Sequence, residues 1–195
     1  RSVLEWMRVL GGREGWDHFS WRDPAPGLME VGTLFSRFWR GLAHGFSGQV
    51  QHARMRRLHR QNLARLRSTN LAGPVVNFVC YGNICRSPLA EALARASSDL
   101  WTVESTGLHA IAGRGTPPRV IAAAREVGAD LSAHRARVIS ERHVEEADVL
   151  VVMDPTNFED LLDRFPSARE KTILLGLVAD PPVLAVPDPI DLTEE

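Results

Sequence analysis

Residues 75–95 read VVNFVCYGNICRSPLAEALAR, and this stretch decides how the middle of the chain folds. Its first five residues are mostly apolar, which is typical of a buried strand, and its last eight residues have the composition of a helix. Cys80 therefore follows a strand directly and begins a short loop that leads into a helix N-terminus. Backbone N–H groups at such a junction favour an anion of about the size of phosphate.

Two side chains of this loop have the chemistry of phosphate transfer. Cys80 is the candidate nucleophile, because a helix N-terminus and a nearby guanidinium both favour its thiolate. Arg86 follows six residues later, and its planar guanidinium can bind two phosphate oxygens. Ser87 is predicted to cap the helix, with Pro88 in its first turn, and to donate to the Cys80 sulfur. The alternative is that Cys80 is only a small residue buried at the end of a strand.

Predicted strands and helices alternate along the chain, which indicates an α/β fold. Strands are predicted at 75–79, 101–105, 147–152 and 172–175, and helices at 88–98, 117–127 and 156–164. Helical connections between strands imply a parallel sheet whose ligand lies at the carboxyl ends of the strands. Cys80 lies at that edge.

The motif C-x-G-N-I-C-R-S-P-x-A-E, from Cys80 to Glu91, closely resembles the active-site loop of the low-molecular-weight protein tyrosine phosphatases. The resemblance covers about residues 74–190. It continues, in the family's order, through Ser105-Thr106-Gly107, Leu131–Arg137, Met153–Asn157, Leu174–Gly176 and Asp188-Pro189. It implies a three-layer fold around a four-stranded, flavodoxin-like sheet, the phosphotyrosine phosphatase I-like arrangement.

The resemblance also implies a reaction. Cys80 would attack phosphorus, most readily that of protein phosphotyrosine, and water would hydrolyse the resulting phosphocysteine; no metal or cofactor is needed. Arg86 would stabilise the phosphoryl oxygens, and Asp188 would protonate the leaving oxygen. Asp180-Pro181 is a rival acid pair, and we favour Asp188. The remaining residues of the phosphate-binding loop are Tyr81, Gly82, Asn83, Ile84, Cys85 and Ser87.

Several residues match family positions that support this loop. Asn83, Ser87, Ser105 and His134 are expected to form a hydrogen-bond network that holds the loop open, although His134 alone could be an ordinary structural histidine. Two further residues, Asp154 and Asn157, either cap the following helix or contact the loop. A disulfide between Cys85 and Cys80 would protect the nucleophile from oxidation, and the alternative is that Cys85 only packs.

Two departures from the family pattern bear on function, and so do two features that distinguish this chain from relatives with other chemistry. Ile190 stands where the family usually has an aromatic residue, and Tyr81 could supply part of an aromatic wall instead. Ile84 stands where protein arginine phosphatases tend to have threonine, which favours phosphotyrosine. No cysteine follows Cys85, which excludes the disulfide cascade of arsenate reductases. The chain ends at residues 191–195, where the family continues into a last helix, so either it is a fragment or another segment covers that face.

The composition of the chain limits its class and its cellular environment. The chain has 195 residues, 44% of them apolar, and no apolar run approaches the roughly 18 residues of a membrane span. Its two cysteines lie in one loop, which argues for a reducing, cytoplasmic environment. Besides a phosphatase, the loop is compatible with phosphoarginine or arsenate chemistry, or with a regulatory module that binds phosphate without turnover.

Charge divides the chain into two parts, with a boundary near Thr69–Pro74. Residues 1–70, the predicted basic extension, contain 12 arginines against 5 acidic residues, whereas 71–195 contain 11 basic and 19 acidic residues. We expect a catalytic domain at 74–195. Residues 1–30 are predicted to be loosely ordered. Helical spacing recurs at Leu34, Phe35, Phe38, Trp39 and Leu42.

Within the extension, residues 51–67 contain six arginines and no acidic residue. A basic amphipathic helix of this kind can lie on an anionic membrane or bind nucleic acid. The interpretation we favour is a helix that docks on the acidic catalytic domain or is merely solvated. Contact with an anionic surface stays open, and we expect no nucleic-acid partner.

Overall fold

The computed structural model describes the backbone of residues 31–69, 73–97, 100–179 and 181–189, with side chains from residue 49 onward except that of residue 50. The predictions for residues 1–30, for Asp180 and for the chain from 190 to 195 lie outside these residues. None of the described helices combines the length and the apolar character that crossing a membrane requires.

Four parallel strands form a single sheet in the order β2-β1-β3-β4. They are β1 Val75–Cys80, β2 Thr102–Gly107, β3 Val149–Val152 and β4 Thr172–Leu174. The described helices are α1 Val31–Ser68, α2 Arg86–Ser97, α3 Pro118–Glu126, α4 Glu141–Glu146 and α5 Pro155–Arg164, with 3-10 turns at Pro166–Glu170 and Leu175–Val178. The predicted four-stranded α/β fold is confirmed.

Both faces of the sheet are covered by packed side chains. Successive residues of β1 point to opposite faces, so this strand contributes to the core on each side. Val76 and Phe78 pack with Ala90 of α2 in one core cluster. Val79 packs with Phe158 of α5 in a second cluster on the other face. Each fully buried side chain of this size stabilises the fold by roughly 1.5–3 kcal/mol, so the end of β1 that bears Cys80 is held from both sides.

One prediction about the loop is wrong. Helix α2 begins at Arg86 and not at Pro88, so Ser87 lies in its first turn and is not its N-cap. The Ser87 hydroxyl lies 3.0 Å from the Cys80 sulfur, the partner predicted for it, and 3.3 Å from the Thr106 carbonyl oxygen. The loop is therefore tighter than the sequence predicted.

Helix α1 covers the free edge of β4. The Asn62 side-chain amide donates to the Thr172 carbonyl at 2.8 Å, and His59 Nδ1 accepts the Leu174 N–H at 3.2 Å. Met55 is buried in the core cluster that contains Val79. These contacts show that the basic helix docks on the sheet, and they satisfy backbone groups that an edge strand otherwise leaves unpaired.

Candidate active site

The loop after β1 folds around the Cys80 sulfur. Cys80 is buried, and its Sγ accepts the Asn83 backbone N–H at 3.2 Å. The Ser87 hydroxyl lies 3.0 Å away and already accepts a hydrogen bond from the Asn83 amide at 2.9 Å. Its own hydrogen is therefore available to the sulfur or to a carbonyl. The Asn83 backbone N–H and the Ser87 hydroxyl thus both contact the sulfur inside the loop.

Asn83 holds the loop in shape. It is fully buried and has a φ of 50°, in the left-handed region that asparagine tolerates better than most residues. Its side-chain amide donates to Ser87 Oγ and Ser105 Oγ at 2.9 Å each, and its Oδ1 accepts the Arg137 backbone N–H at 2.7 Å. His134 Nε2 donates to the Asn83 carbonyl at 2.8 Å. The structure thus brings together the four residues of the predicted network.

A second layer of contacts was missed by sequence reasoning. Ser105 Oγ donates to Glu91 Oε2 at 2.5 Å, and Glu91 also pairs with Arg95 at 2.7 Å. Gly107, at the end of β2, has no room for a side chain, because a Cβ there would lie 2.8 Å from the Asn83 nitrogen. Glu91 and Gly107 belong to motifs that are visible in the sequence, but the motifs do not reveal which residues they contact.

Arg86 lies between two carboxylates. Its two terminal nitrogens donate to Asp154 Oδ2 and Asp188 Oδ2, both at 2.6 Å, and one also reaches the Val186 carbonyl at 3.1 Å. Burial alone would lower the pKa of this guanidinium, but Asp188, Cys80 and Asp154 more than offset it and raise that pKa above its usual value. Arg86 therefore stays charged beside the loop.

Asp154 has two partners, one of them in its own helix. Its Oδ1 caps α5 by accepting the Asn157 backbone N–H at 2.7 Å, while its Oδ2 binds Arg86. Both alternatives considered for Asp154 are thus realised in one side chain. Asn157 is buried, and its side-chain oxygen has no hydrogen-bond partner among the described residues.

The segment that carries Asp188 is fastened at two further points. The Val186 backbone N–H donates to the Met153 carbonyl at 2.8 Å. Arg119, at the start of α3, donates to the Pro189 carbonyl at 3.1 Å. Sequence reasoning missed Arg119, because the partner it binds is a backbone atom 70 residues later. The two contacts bring Asp188 to the phosphate-binding loop.

The comparisons with known proteins agree with this geometry. The family model of the low molecular weight phosphotyrosine protein phosphatases matches residues 75–195. The chain belongs to this family. The Escherichia coli low molecular weight protein-tyrosine-phosphatase Wzb is 41% identical over 98 residues, which are 50% of this chain and 67% of that protein.

Solved structures of the family superpose on the chain. The tyrosine phosphatase Wzb from Escherichia coli in complex with sulphate does so with a TM-score of 0.58 and 30% identity, over 62% of this chain and 83% of that one. The YwlE arginine phosphatase from Geobacillus stearothermophilus does so with a TM-score of 0.56 and 28% identity, over 60% and 77%. The predicted family and fold are therefore confirmed.

The rim of the phosphatase loop is aromatic on one side. Tyr81 is 56% exposed, and its ring stacks on His109 with centroids 4.6 Å apart. His109 Nε2 lies 2.6 Å from Asp160 Oδ2 of α5. Sequence reasoning found Tyr81 but missed His109 and Asp160. This side of the loop therefore presents an aromatic surface that the hydrogen bond between His109 and Asp160 holds in place.

The remaining loop residues are internal. Ile84 is buried against Leu89 and Val120, and Gly82 forms part of the bend. Cys85 is also buried, and both cysteines are free thiols. Burial raises the pKa of the Cys85 thiol to about 12, with smaller contributions from Asp188 and Cys80. Cys85 is thus a poor nucleophile as long as the loop stays closed.

Proposed function

We propose that this phosphatase hydrolyses phosphotyrosine in proteins through a phosphocysteine formed on Cys80. The observation that carries the proposal is the position of the Cys80 sulfur, inside a loop that directs a backbone N–H and the Ser87 hydroxyl at it. The charged Arg86 guanidinium borders the same loop. A thiolate nucleophile and a stabiliser of phosphoryl oxygens are thereby combined in one site.

In the first step, Cys80 Sγ forms a bond to phosphorus while the bond from phosphorus to the phenolic oxygen breaks. Asp188, protonated at this stage, gives its proton to that oxygen. In the second step a water oxygen bonds to phosphorus, the sulfur leaves as thiolate, and Asp188 takes up a proton from the water. Phosphate is released, and the acid and thiolate are restored.

Arg86 connects substrate binding to the acid. In the described structure it donates to Asp188, so a phosphate dianion entering the loop competes with this carboxylate for the same N–H groups. A bidentate pair between arginine and phosphate is strong. We infer that the phosphate takes over the guanidinium and that the freed Asp188 carboxylate takes up a proton from solvent, which it then gives to the leaving oxygen. Asp154 keeps Arg86 in place.

Turnover of p-nitrophenyl phosphate by the full chain, followed by a panel of phosphotyrosine, phosphoserine and phosphoarginine peptides, tests the reaction and the substrate class. Cys80→Ser should abolish turnover. Asp188→Asn should lower kcat by about 10²–10⁴-fold for poor leaving groups such as phenol. Its effect should shrink for leaving groups that need no proton. An equal loss for all leaving groups would remove Asp188 from the role of acid.

Phosphoarginine is the second candidate substrate, because the YwlE arginine phosphatase is among the structural relatives. We favour phosphotyrosine, since Ile84 stands where arginine phosphatases tend to carry threonine and since Tyr81 and His109 offer an aromatic rim. A higher kcat/KM for phosphoarginine peptides would reverse this order. Tight phosphate binding by a wild-type chain that has no turnover would instead indicate a regulatory phosphate-binding module.

We further propose a division of the chain into a catalytic domain at 74–195 and a basic extension at 1–70. The match of the family model to 75–195 supports the first part. A cytoplasmic location is proposed because the reaction needs Cys80 as a reduced thiol. Residues 51–67 are proposed to contact an anionic surface, as their excess of arginine suggests.

A further inference from the structure

Helix α1 has a docked side and an exposed side. Met55, His59 and Asn62 are buried against the edge of the sheet. Arg57 and Arg60 are exposed, and at 100° per residue they lie on the opposite side of the helix from the docked residues. The exposed side is therefore not used by the contacts that hold α1 on its own domain.

The side of the helix that bears Arg57 and Arg60 has apolar residues at the positions nearer its beginning. Helix α1 is continuous from Val31 to Ser68, so positions spaced by three and four residues share one side along its whole length. The positions that precede Arg57 on this line of the helix are all apolar. The complete line is Val31, Phe35, Trp39, Leu42, Phe46, Val50, Ala53, Arg57, Arg60 and Ala64.

Arginines border this line without compensating acids. Residues 51–67 contain six arginines and no carboxylate, and all six are exposed. Among the described residues, only Arg65 of the six forms an ion pair, with Glu170. The side of α1 that bears Arg57 and Arg60, called its outer side below, thus combines a line of apolar and aromatic positions with a concentration of positive charge.

The direction of α1 relates this surface to the active site. His59 lies beside Leu174 and Asn62 beside Thr172, so α1 runs antiparallel to β4. Residues that precede His59 therefore lead toward the carboxyl edge of the sheet. The loop of Cys80 lies at that same edge.

We propose that the outer side of α1 binds the surface of an anionic lipid bilayer. Its aromatic and aliphatic line enters the region between headgroups and acyl chains, and its arginines bind lipid phosphates. This consequence rests on the proposed phosphatase activity: an enzyme held at the membrane acts on phosphotyrosines close to it.

The apolar line argues against nucleic acid as the partner, because a bilayer interface accommodates aromatic and aliphatic residues together with arginine. A second copy of the chain is also disfavoured. Parallel pairing along this line would bring two rows of arginines together, with no carboxylate in residues 51–67 to neutralise them.

The test is flotation of the full chain with vesicles of pure phosphatidylcholine and with vesicles containing a third of phosphatidylglycerol. We expect binding to the anionic vesicles, at least 10-fold weaker binding to the neutral ones, and loss of affinity at high salt. Each arginine near such a surface contributes about 5-fold, so the double variant Arg57→Gln/Arg60→Gln should bind about 30-fold more weakly.

The matched control for charge is Arg125→Gln/Arg142→Gln, two exposed arginines of other helices, and its affinity should equal that of the wild type. For the apolar line, Trp39→Ser/Phe46→Ser should abolish flotation, whereas Leu34→Ser, off the line, should not. Hydrolysis of p-nitrophenyl phosphate without lipid should be the same in all variants.

Equal binding to neutral and anionic vesicles, or no binding to either, would overturn the proposal. So would tighter binding to duplex DNA or RNA than to vesicles, or a dimer in sedimentation that Trp39→Ser/Phe46→Ser dissolves. A wild-type chain that floats with anionic vesicles but hydrolyses no phosphoester would refute the proposed function and leave the lipid contact standing.

Discussion

Replacing Asn83 with alanine should loosen the phosphate-binding loop without unfolding the domain. Three hydrogen bonds of its side chain disappear: the buried ones to Ser87 and Ser105 and a partly buried one from the Arg137 backbone. Each is worth about 1 kcal/mol net, and somewhat more where a partner stays buried and unpaired. Alanine at the φ of 50° adds about 1 kcal/mol of backbone strain. The expected loss in free energy of unfolding is therefore about 4 kcal/mol.

The matched variant Asn83→Gly separates the two causes. Glycine accepts the positive φ without strain, so this variant should lose only the free energy of the hydrogen bonds. Relief of strain alone would make it about 1 kcal/mol more stable than the alanine variant. The larger conformational entropy of glycine in the unfolded chain reduces that difference. Urea unfolding followed by circular dichroism measures both differences. We expect the midpoint to fall in both variants while the slope stays unchanged.

Activity should fall further than stability suggests. The Asn83 backbone N–H donates to the Cys80 sulfur at 3.2 Å, and a displacement of the loop by about 1 Å can cost about 10²-fold in rate. We expect that loss in kcat with p-nitrophenyl phosphate, well below the unfolding midpoint. If Asn83→Ala unfolds within 0.5 kcal/mol of the wild type and keeps kcat/KM within 2-fold, the network does not hold the loop and the reasoning fails.

Three further predictions concern the thiols and the helix contact. With a Cys85 pKa of about 12, its thiolate fraction at pH 8 is about 10⁻⁴, so iodoacetamide should add one label, at Cys80; a label on Cys85 in the Cys80→Ser variant would contradict this. Asn62→Ala removes bonds to two backbone carbonyls and should cost about 2–4 kcal/mol in urea unfolding, whereas exposed Gln61→Ala should cost under 0.5 kcal/mol. Burial lowers the pKa of His59 below its ordinary 6.5, so the unfolded chain takes up its proton first and stability should fall as pH drops below about 6.5; the His59→Gln variant should lack this part of the decline, and identical pH dependence would refute it.

Most of the catalytic core was predictable from sequence, because its elements depend on local patterns. The apolar run of β1 and the alanine-rich turns of α2 specify a strand and a helix without reference to the rest of the chain. Strand bounds agree with the prediction within two residues, as for β2 at Thr102–Gly107. The start of α2 also differs by two residues, because the tight loop around Cys80 leads directly into a helix that begins at Arg86.

Contacts between distant segments could not be predicted in this way. The pairing of α1 with the free edge of β4 depends on His59 and Asn62 meeting backbone groups more than 100 residues later. The sequence shows a basic helix and an acidic domain, and this charge difference correctly favours docking. It does not reveal that the docked contacts are mainly uncharged, since only Arg65 of the six basic side chains pairs with the domain among the described residues.

The role of Arg86 depends both on a local sequence pattern and on contacts with distant segments. Its spacing from Cys80 predicts a phosphate ligand, yet its structural partners are carboxylates 68 and 102 residues away. The two carboxylates bind the terminal nitrogens of Arg86, whereas its Nε is buried without a hydrogen-bond partner among the described residues. A phosphate can therefore bind at Nε, and we expect it to displace a carboxylate from one terminal nitrogen to complete a bidentate contact. Asp154 is fixed by its cap of α5, whereas Asp188 lies in a segment without regular secondary structure. We therefore expect the exchange to fall on Asp188, so that the substrate would itself position the residue proposed as the acid.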